Sequence, residues 1–378
     1  MRFRIVLGLV ATLVAVGIAV SMASADDITP TSCGLRYVAG GDAFPAGAEI
    51  SGTQRYSYHL LFDHLKGNTA KPGPWCLRST AASGATTLTY YNGGQLANTW
   101  NYAPDLITLS IGEENDSIKD IIGDCFKDYR DPPHDFSGAQ SCEQQILNNS
   151  GAWTTLTNQL ITILQQYAMI MSGRPKLIIA VTGYPDPYPQ SSDVQSKITS
   201  FCNDIEDSTL RCLTRWNQLP NALSTADQVI QKLNKTISNT VAWFTTGYQG
   251  RFVFVNPYDK FKGHSMKMQV KASDDNPVCH FCGTDAEYMD GPHTGNENFG
   301  SDSPWFVAQS DGTATPTYLE PADQIHDPPV VLSTVSQTTS GMGIHVNDAG
   351  QKCMSDLIWE AVKIKLGVPE APNSNICQ

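Results

Sequence analysis

"YVAGGDAFPAGAEI", residues 37–50, reads as a buried strand, a tight glycine-rich turn and the opening of a helix. A strand–turn–helix of this form is how an α/β hydrolytic protein lifts a serine above its sheet, the sharp turn leaving the side chain exposed at its tip. The tip here is Ala43, and a methyl group has no lone pair with which to attack a carbonyl. The frame of a nucleophile turn is present and the nucleophile is not.

Outward from that stretch, short apolar runs alternate with helical patterns. That order predicts an α/β fold, a parallel sheet covered by helices on both faces. Candidate strands are residues 35–39, 75–79, 106–111, 176–181 and 251–255, mostly apolar throughout, as strands buried on two sides must be. Trp153, Leu156, Leu160, Ile163, Leu164, Tyr167 and Met171 recur at helical intervals and define one buried face; Val229, Ile230, Leu233, Ile237, Val241 and Phe244 define a second. Such stripes are core, not cofactor sites. A final helix is expected over 348–366, ended by Gly367 and Pro369. Residues 262–341 differ in kind. Rich in Gly, Pro, Asp, Ser and Thr and without periodicity, they are expected to form a long irregular loop or lid. No repeat or linker divides the chain, so a single domain over 26–378 is expected.

The first 25 residues read as a secretory signal: Arg2 and Arg4 precede an uncharged apolar run over 5–20, and Ala23-Ser24-Ala25 supplies a small-residue cleavage site. The run is shorter than the roughly 20 residues that span a bilayer, so a secreted protein without stable membrane insertion is expected. Ten cysteines in an exported chain imply a disulfide framework. Candidate pairs are Cys33 with Cys76, Cys125 with Cys142, Cys202 with Cys212 and Cys353 with Cys377, although spacing alone does not fix connectivity. Cys279 and Cys282, with His264, His280 and His293 nearby, form either a disulfide or strained redox pair, or part of a metal site; a single CxxC is weak evidence for zinc, and no cofactor is expected. A formal net charge of −12 without a Lys/Arg cluster excludes a nucleic-acid partner. Asn115, Asn148 and Asn234 each open an N-x-S/T triplet, which matters only in a host that glycosylates.

Taken together, the motifs resemble those of the SGNH or GDSL hydrolases, in particular their secreted, disulfide-bearing esterase and lipase branch. Gly41-Asp42-Ala43 stands where that family has Gly-Asp-Ser, and "SGATT" at 83–87, followed by Gly94-Gln95-Leu96, is similar to its second block. "LITLSIGEEND" at 106–116 resembles the third block, Gly183-Tyr184-Pro185 the turn after the fourth strand, and "GIHVNDAGQ" at 343–351 the block that carries the histidine. "KLNKTI" at 232–237 and "FVNPYDKFKGH" at 254–264 are also similar to the branch. The resemblance implies a flavodoxin-like three-layer sandwich with a five-stranded parallel sheet, and ester hydrolysis as the family chemistry. Residue by residue, it implies that Ala43 occupies the nucleophile position and that Gly84 offers a backbone N–H to the oxyanion. A third-block Asn side chain would do the same, and His345 would take the nucleophile's proton. A monomer is expected.

Three positions depart from that pattern. Ala43 removes the attacking hydroxyl. In the third block Gly-x-Asn-Asp is expanded to Gly112-Glu113-Glu114-Asn115-Asp116, so either Glu114 occupies the Asn position or a one-residue bulge lets Asn115 reach it. Met342 stands where many members carry the acid that orients the histidine; the resemblance offers a backbone carbonyl near Pro304-Trp305 in its place. Ser83 is expected to face the core or cap a turn. Asp42 is expected to cap the first helix, with Glu113 and Glu114 solvated; the alternative is a carboxylate–imidazole set with His345 that holds a metal or activates water. The expected protein is a degenerate esterase or lipase that keeps a cleft for an ester-bearing lipid, acylated polymer or glycan. The alternative is a working ester hydrolase that uses His345 with an unconventional nucleophile or an activated water.

Overall fold

A computed structural model describes residues 33–47, 52–66, 73–115, 136–188, 190–192, 194–196, 199, 219–262, 264–265, 268–271, 278–280, 296–299, 306–308, 344–368 and 376–377. Each predicted apolar run forms a strand: β1 (Leu35–Gly41), β2 (Trp75–Ser79), β3 (Leu106–Ser110), β4 (Ile178–Thr182) and β5 (Phe252–Val255). β3 and β4 are buried at every position, as strands covered on both faces require. All five pair in parallel in the order β2-β1-β3-β4-β5. This is the doubly wound, flavodoxin-like order.

The helices follow from that order. α1 (Ala43–Ala46) leaves β1, and α2 (Tyr56–His59), continued by a wider turn over Leu60–Leu65, leads to β2. α3 (Thr87–Asn92) and α4 (Gln95–Tyr102) lead to β3, and α5 (Phe136–Asn148) and α6 (Ser150–Gly173) to β4. α7 (Leu219–Gly247) leads to β5. Because the chain first steps outward to β2 and then runs the opposite way from β1 to β5, right-handed crossovers put the first connection on one face of the sheet and the later ones on the other. The packing agrees: the last helix, α9 (Asp348–Val362), lies on α2 and its continuation, whereas α6 packs on α3 and α7. The apolar stripes read from the sequence form these interfaces, with Leu156, Leu160, Ile163 and Tyr167 of α6 and Val229, Leu233 and Ile237 of α7 all buried.

Beyond α8 (Tyr258–Phe261), the stretch expected to lack periodicity holds short strands: β6 (Met268–Lys271), β7 (Val278–His280), β8 (Asn296–Phe299) and β9 (Phe306–Ala308). The first three form a small antiparallel sheet, and β9 pairs antiparallel with β10 (Ile344–Val346). Strands of three or four residues are too short to display an alternation, so the sequence gives no sign of them. Two expected disulfides are present, Cys33–Cys76 across the starts of β1 and β2 and Cys353–Cys377 between α9 and the tail. Cys142 is disulfide-bonded as well; Cys125, Cys202, Cys212 and Cys282 lie outside the described residues, as do residues 1–25, expected to be a secretory signal, Met342 and Pro304-Trp305. No helix among the described residues is long and apolar enough to cross a membrane.

Candidate functional site

In a doubly wound sheet, ligands bind outside the carboxyl ends of the strands where the winding reverses. Here that point lies between β1 and β3, and the residues singled out in the sequence come to it from the ends of different strands. β1 delivers Asp42 and Ala43, and β3 delivers Glu113, Glu114 and Asn115. β4 delivers Tyr184, and the loop after β2 delivers Gly84.

The turn after β1 is held by main-chain bonds that leave little freedom at Ala43. Asp42 N–H donates to Ser110 O at 2.9 Å, and Ala82 N–H to Gly41 O at 3.0 Å. Gly41 is required: at its φ of +133° a Cβ would stand 1.7 Å from Ser110 O, inside the backbone of β3. Gln95 secures the same corner, its amide nitrogen, in the orientation that satisfies both ends of the group, donating to Thr80 O (2.7 Å) and Gly41 O (3.0 Å). Asp42 caps α1 as expected, accepting from Phe44 N–H at 3.2 Å. Ala43 follows as the first residue of α1, 4% exposed.

Asp42 is fully buried and accepts a hydrogen bond from the Tyr184 hydroxyl. Burial pushes its carboxyl up to about 8; the Tyr184 hydroxyl opposes that rise and the Glu114 charge adds to it, while main-chain N–H groups of Phe44 and Gly112 pull it down. The Glu113 carboxyl is pushed well above the usual carboxylate range by burial and then by the charges of Asp42 and Glu114. Burial, Asp42 and Glu113 likewise hold the Tyr184 phenol far above its ordinary value. Glu113 and Glu114 are thus half-buried members of an acidic cluster, not the solvated side chains expected. The correction has a simple cause: the turn Gly112–Asn115, closed by Asn115 N–H to Gly112 O at 3.4 Å, keeps them close enough to Asp42 for their charges to interact. With its value raised to about 8, the Asp42 carboxyl is mostly protonated around neutral pH and acts as a hydrogen-bonding strut, not as a full negative charge.

Tyr184 is the residue that sequence reasoning under-used. Its main chain is clamped by Asn234 of α7, which accepts from Tyr184 N–H and donates to Tyr184 O, both at 2.7 Å. Asn234 is therefore buried and fully engaged, and its N-x-T triplet is no glycan acceptor in the folded protein. The available signal was the Gly183-Tyr184-Pro185 turn at the end of β4, the strand beside β3.

Asn115 is tied to the second block. Its Oδ1 accepts from Thr87 N–H (2.9 Å), and its Nδ2 donates to Thr87 Oγ1 (2.8 Å) and Gln159 Oε1 (3.4 Å). Gly84 lies exposed on the loop before α3 at φ +76°, with open space where a Cβ would stand. Ser83 is exposed beside it on the same turn, so it does not face the core. The strand carrying His345, β10, sets that residue opposite Val307 and packs beside α1; the His345 side chain lies outside the described residues. Gln351 of α9 binds this segment to the turn after β1, accepting from Tyr56 N–H (2.9 Å) and donating to Phe44 O (3.3 Å). Among the described residues, no group of three or more His, Cys, Asp or Glu side chains is arranged to hold a metal ion.

No protein-family model matches the chain, and no curated protein matches it either. Solved structures similar to it include a phospholipase A1 from Streptomyces albidoflavus NA297, 17% identical over 65% of this chain and 91% of that one (TM-score 0.42). An extracellular lipase from Streptomyces rimosus is 18% identical over 76% and 92% of the two chains (TM-score 0.43). An acetylxylan esterase from Geobacillus stearothermophilus is 12% identical over 61% and 79% (TM-score 0.30). With every one of these TM-scores below 0.5, the likenesses carry no chemistry, and the fold rests on the strand order itself.

Proposed function

We propose that this is an exported, monomeric ester-binding protein with the frame of a serine esterase and without serine-dependent turnover. Its cleft takes an ester-bearing lipid, an acylated polymer or an acylated glycan. The observation that carries the reading is Ala43, a buried methyl at the apex of a turn otherwise built to present a nucleophile. Retained binding is supported by the main-chain N–H groups of Ala43 and Gly84, neither of which makes a hydrogen bond among the described residues. Preplaced donors of this kind polarise an ester carbonyl whether or not a nucleophile follows. In this reading His345 is the unused imidazole partner. Asn115 supports weakened catalysis, because its amide nitrogen already donates to Thr87 and Gln159, and Glu114 adds a charge next to Asp42 where a developing oxyanion needs the opposite.

The test is Ala43→Ser, assayed beside the unaltered chain on short-chain p-nitrophenyl esters. The variant is expected to gain hydrolysis at least about tenfold above the unaltered protein while staying slow, since one missing oxyanion donor costs about 10²–10³ in rate. An unaltered chain already as active as the variant would contradict the proposal. A second reading, hydrolysis through His345 with an unconventional nucleophile or activated water, is favoured by one observation, the exposed Ser83 hydroxyl beside Gly84. It predicts turnover by the unaltered chain that His345→Ala abolishes.

A further inference from the structure

β4 passes the chain into the turn Gly183-Tyr184-Pro185-Asp186-Pro187-Tyr188. Pro185 and Pro187 have no N–H to donate, so the turn depends on side chains for its attachment. Tyr184, Asp186 and Tyr188 are all buried. Asn234 clamps the main chain of Tyr184 at one end. At the other, Asp186 accepts from Tyr188 N–H at 3.0 Å and its carboxyl meets that of Asp227 on α7. Asp227 also accepts from the Tyr258 hydroxyl of α8 and from Gln231 Nε2 at 2.8 Å, and Gln231 Nε2 lies 3.0 Å from the same hydroxyl. One side-chain cluster therefore joins the turn after β4 to α7 and α8.

Two carboxyl groups in contact, one of them 5% exposed, resist being ionised together, because burial and the like charge both oppose it. A bond between them needs one proton, and the surrounding donors place it: Tyr258 and Gln231 both donate to Asp227, so Asp227 is the acceptor and Asp186 holds the proton. The Tyr258 phenol keeps its own proton, since burial and then its bond to Asp227 hold it above its ordinary value. Burial, and after it the Asp227 charge, likewise hold the Asp186 carboxyl well above the usual carboxylate range, against the pull of Tyr188 N–H and of Lys262. Lys262, just past α8, is the cation facing the pair; its Nζ lies 4.7 Å from the centre of the Tyr258 ring and 3.0 Å from the exposed carboxylate of Asp259, which shares its charge. On the far side of Tyr184 stand Asp42, Glu113 and Glu114, whose charges act on that residue and on one another.

We propose that Asp186 and Asp227 form a proton-bridged latch that holds the turn after β4 on α7 and α8, and that loss of the shared proton frees the turn and withdraws the Tyr184 hydroxyl from Asp42. The pair is a pH-operated switch at the rim of the site. Below the ordinary carboxylate value of 3.8 the latch contributes its full stability; as pH rises through the higher value of the folded pair the proton leaves to solvent, two carboxylates face each other, and that contribution is lost. The switch needs no ligand and does not rest on the ester-binding reading.

The experiment is amide hydrogen exchange of the full chain read by mass spectrometry at about pH 5 and about pH 9, corrected for the intrinsic pH dependence of exchange. Peptides covering 183–188 and 258–262 are expected to lose protection by about tenfold or more at the higher value, and peptides of β3 to keep theirs. Asp186→Asn donates to Asp227 without a titrating group, so it is expected to abolish the pH-dependent loss, whereas Asp42→Asn is expected to retain it. If Asp186→Asn does not fold, Asp227→Asn, which also leaves a single carboxyl in the pair, takes its place with the same expected outcome. Equal losses in the parent and the latch variant would overturn the proposal, as would constant protection in the parent. It is overturned as well if Asp42→Asn abolishes the loss and Asp186→Asn keeps it, which would assign the titration to the carboxyl cluster around Asp42.

Discussion

Asp42 and Ala43 show how much one side chain decides and how much its neighbours have already arranged. Gly41, Ser110, Gln95 and Gln351 fix the turn by main-chain and amide bonds that do not depend on a hydroxyl at position 43, so the side chain there can change without disturbing the turn. The buried Asp42 carboxyl makes a separate, checkable statement. Its folded-state value, about 8, stands above the ordinary carboxylate value of 3.8. Between those values the folded protein holds a proton that the unfolded chain has released, so this group's contribution to stability falls as pH rises from about 4 to about 8. Asp42→Asn keeps the helix cap and removes the titration. It is expected to flatten the fall in melting temperature over that window, a change on the order of 1–3 kcal/mol between pH 5 and pH 8. Equal slopes for variant and parent would show that Asp42 is charged in the folded state. Asp42, Glu113, Glu114, Asn115 and Gly84 were singled out in the sequence because they lie in the motif blocks at 41–43, 83–87 and 106–116. The Tyr184–Asp42 bond was not, since it joins residues 142 apart in sequence and no local pattern encodes such a contact.

At the scale of elements, the sequence located what periodicity can locate. β2 runs over the five residues expected for it, because an apolar run flanked by Pro74 and polar residues has sharp ends. β4 begins two residues late, at Ile178, because Lys176 is exposed in the preceding turn. α7 begins at Leu219, well before its legible stripe from Val229, because Pro220 is tolerated in a first helical turn and the helix carries its buried side back through Ala226, Leu223 and Ala222. Helix packing also leaves a liability that no pattern advertises. Glu143 of α5 is fully buried, and both its carboxylate oxygens lack a hydrogen-bond partner among the described residues. Burial pushes its carboxyl up to about 9, so it too favours the folded state less as pH rises from about 4.5 toward 9. Glu143→Leu is expected to stabilise the protein by about 1–3 kcal/mol at pH 7. The gain should grow toward pH 9, as read by urea unfolding at both values. A loss of stability at both would mean that the carboxyl has a favourable partner.

For the whole molecule, one winding reversal organises everything else: it sets helices on both faces and opens the crevice between β1 and β3. It gathers the first three motif blocks at one rim, while the Cys33–Cys76 and Cys353–Cys377 bonds pin the first strand and the last helix at about 2–4 kcal/mol each. On the proposed reading, such a molecule presents an ester to preplaced donors and stops where attack would begin. The most direct measurement is intact-mass spectrometry after exposure to a fluorophosphonate, comparing the unaltered chain with Ala43→Ser. A serine hydroxyl at position 43 forms a P–O bond as fluoride leaves and its proton passes to a base, on the proposed reading the His345 imidazole. The variant is therefore expected to gain one phosphonyl adduct, mapped by proteolysis to residue 43, and the unaltered chain none. An adduct on the unaltered chain, or one in the variant at any other residue, would contradict the claim that a frame for nucleophilic attack stands here with only its nucleophile missing.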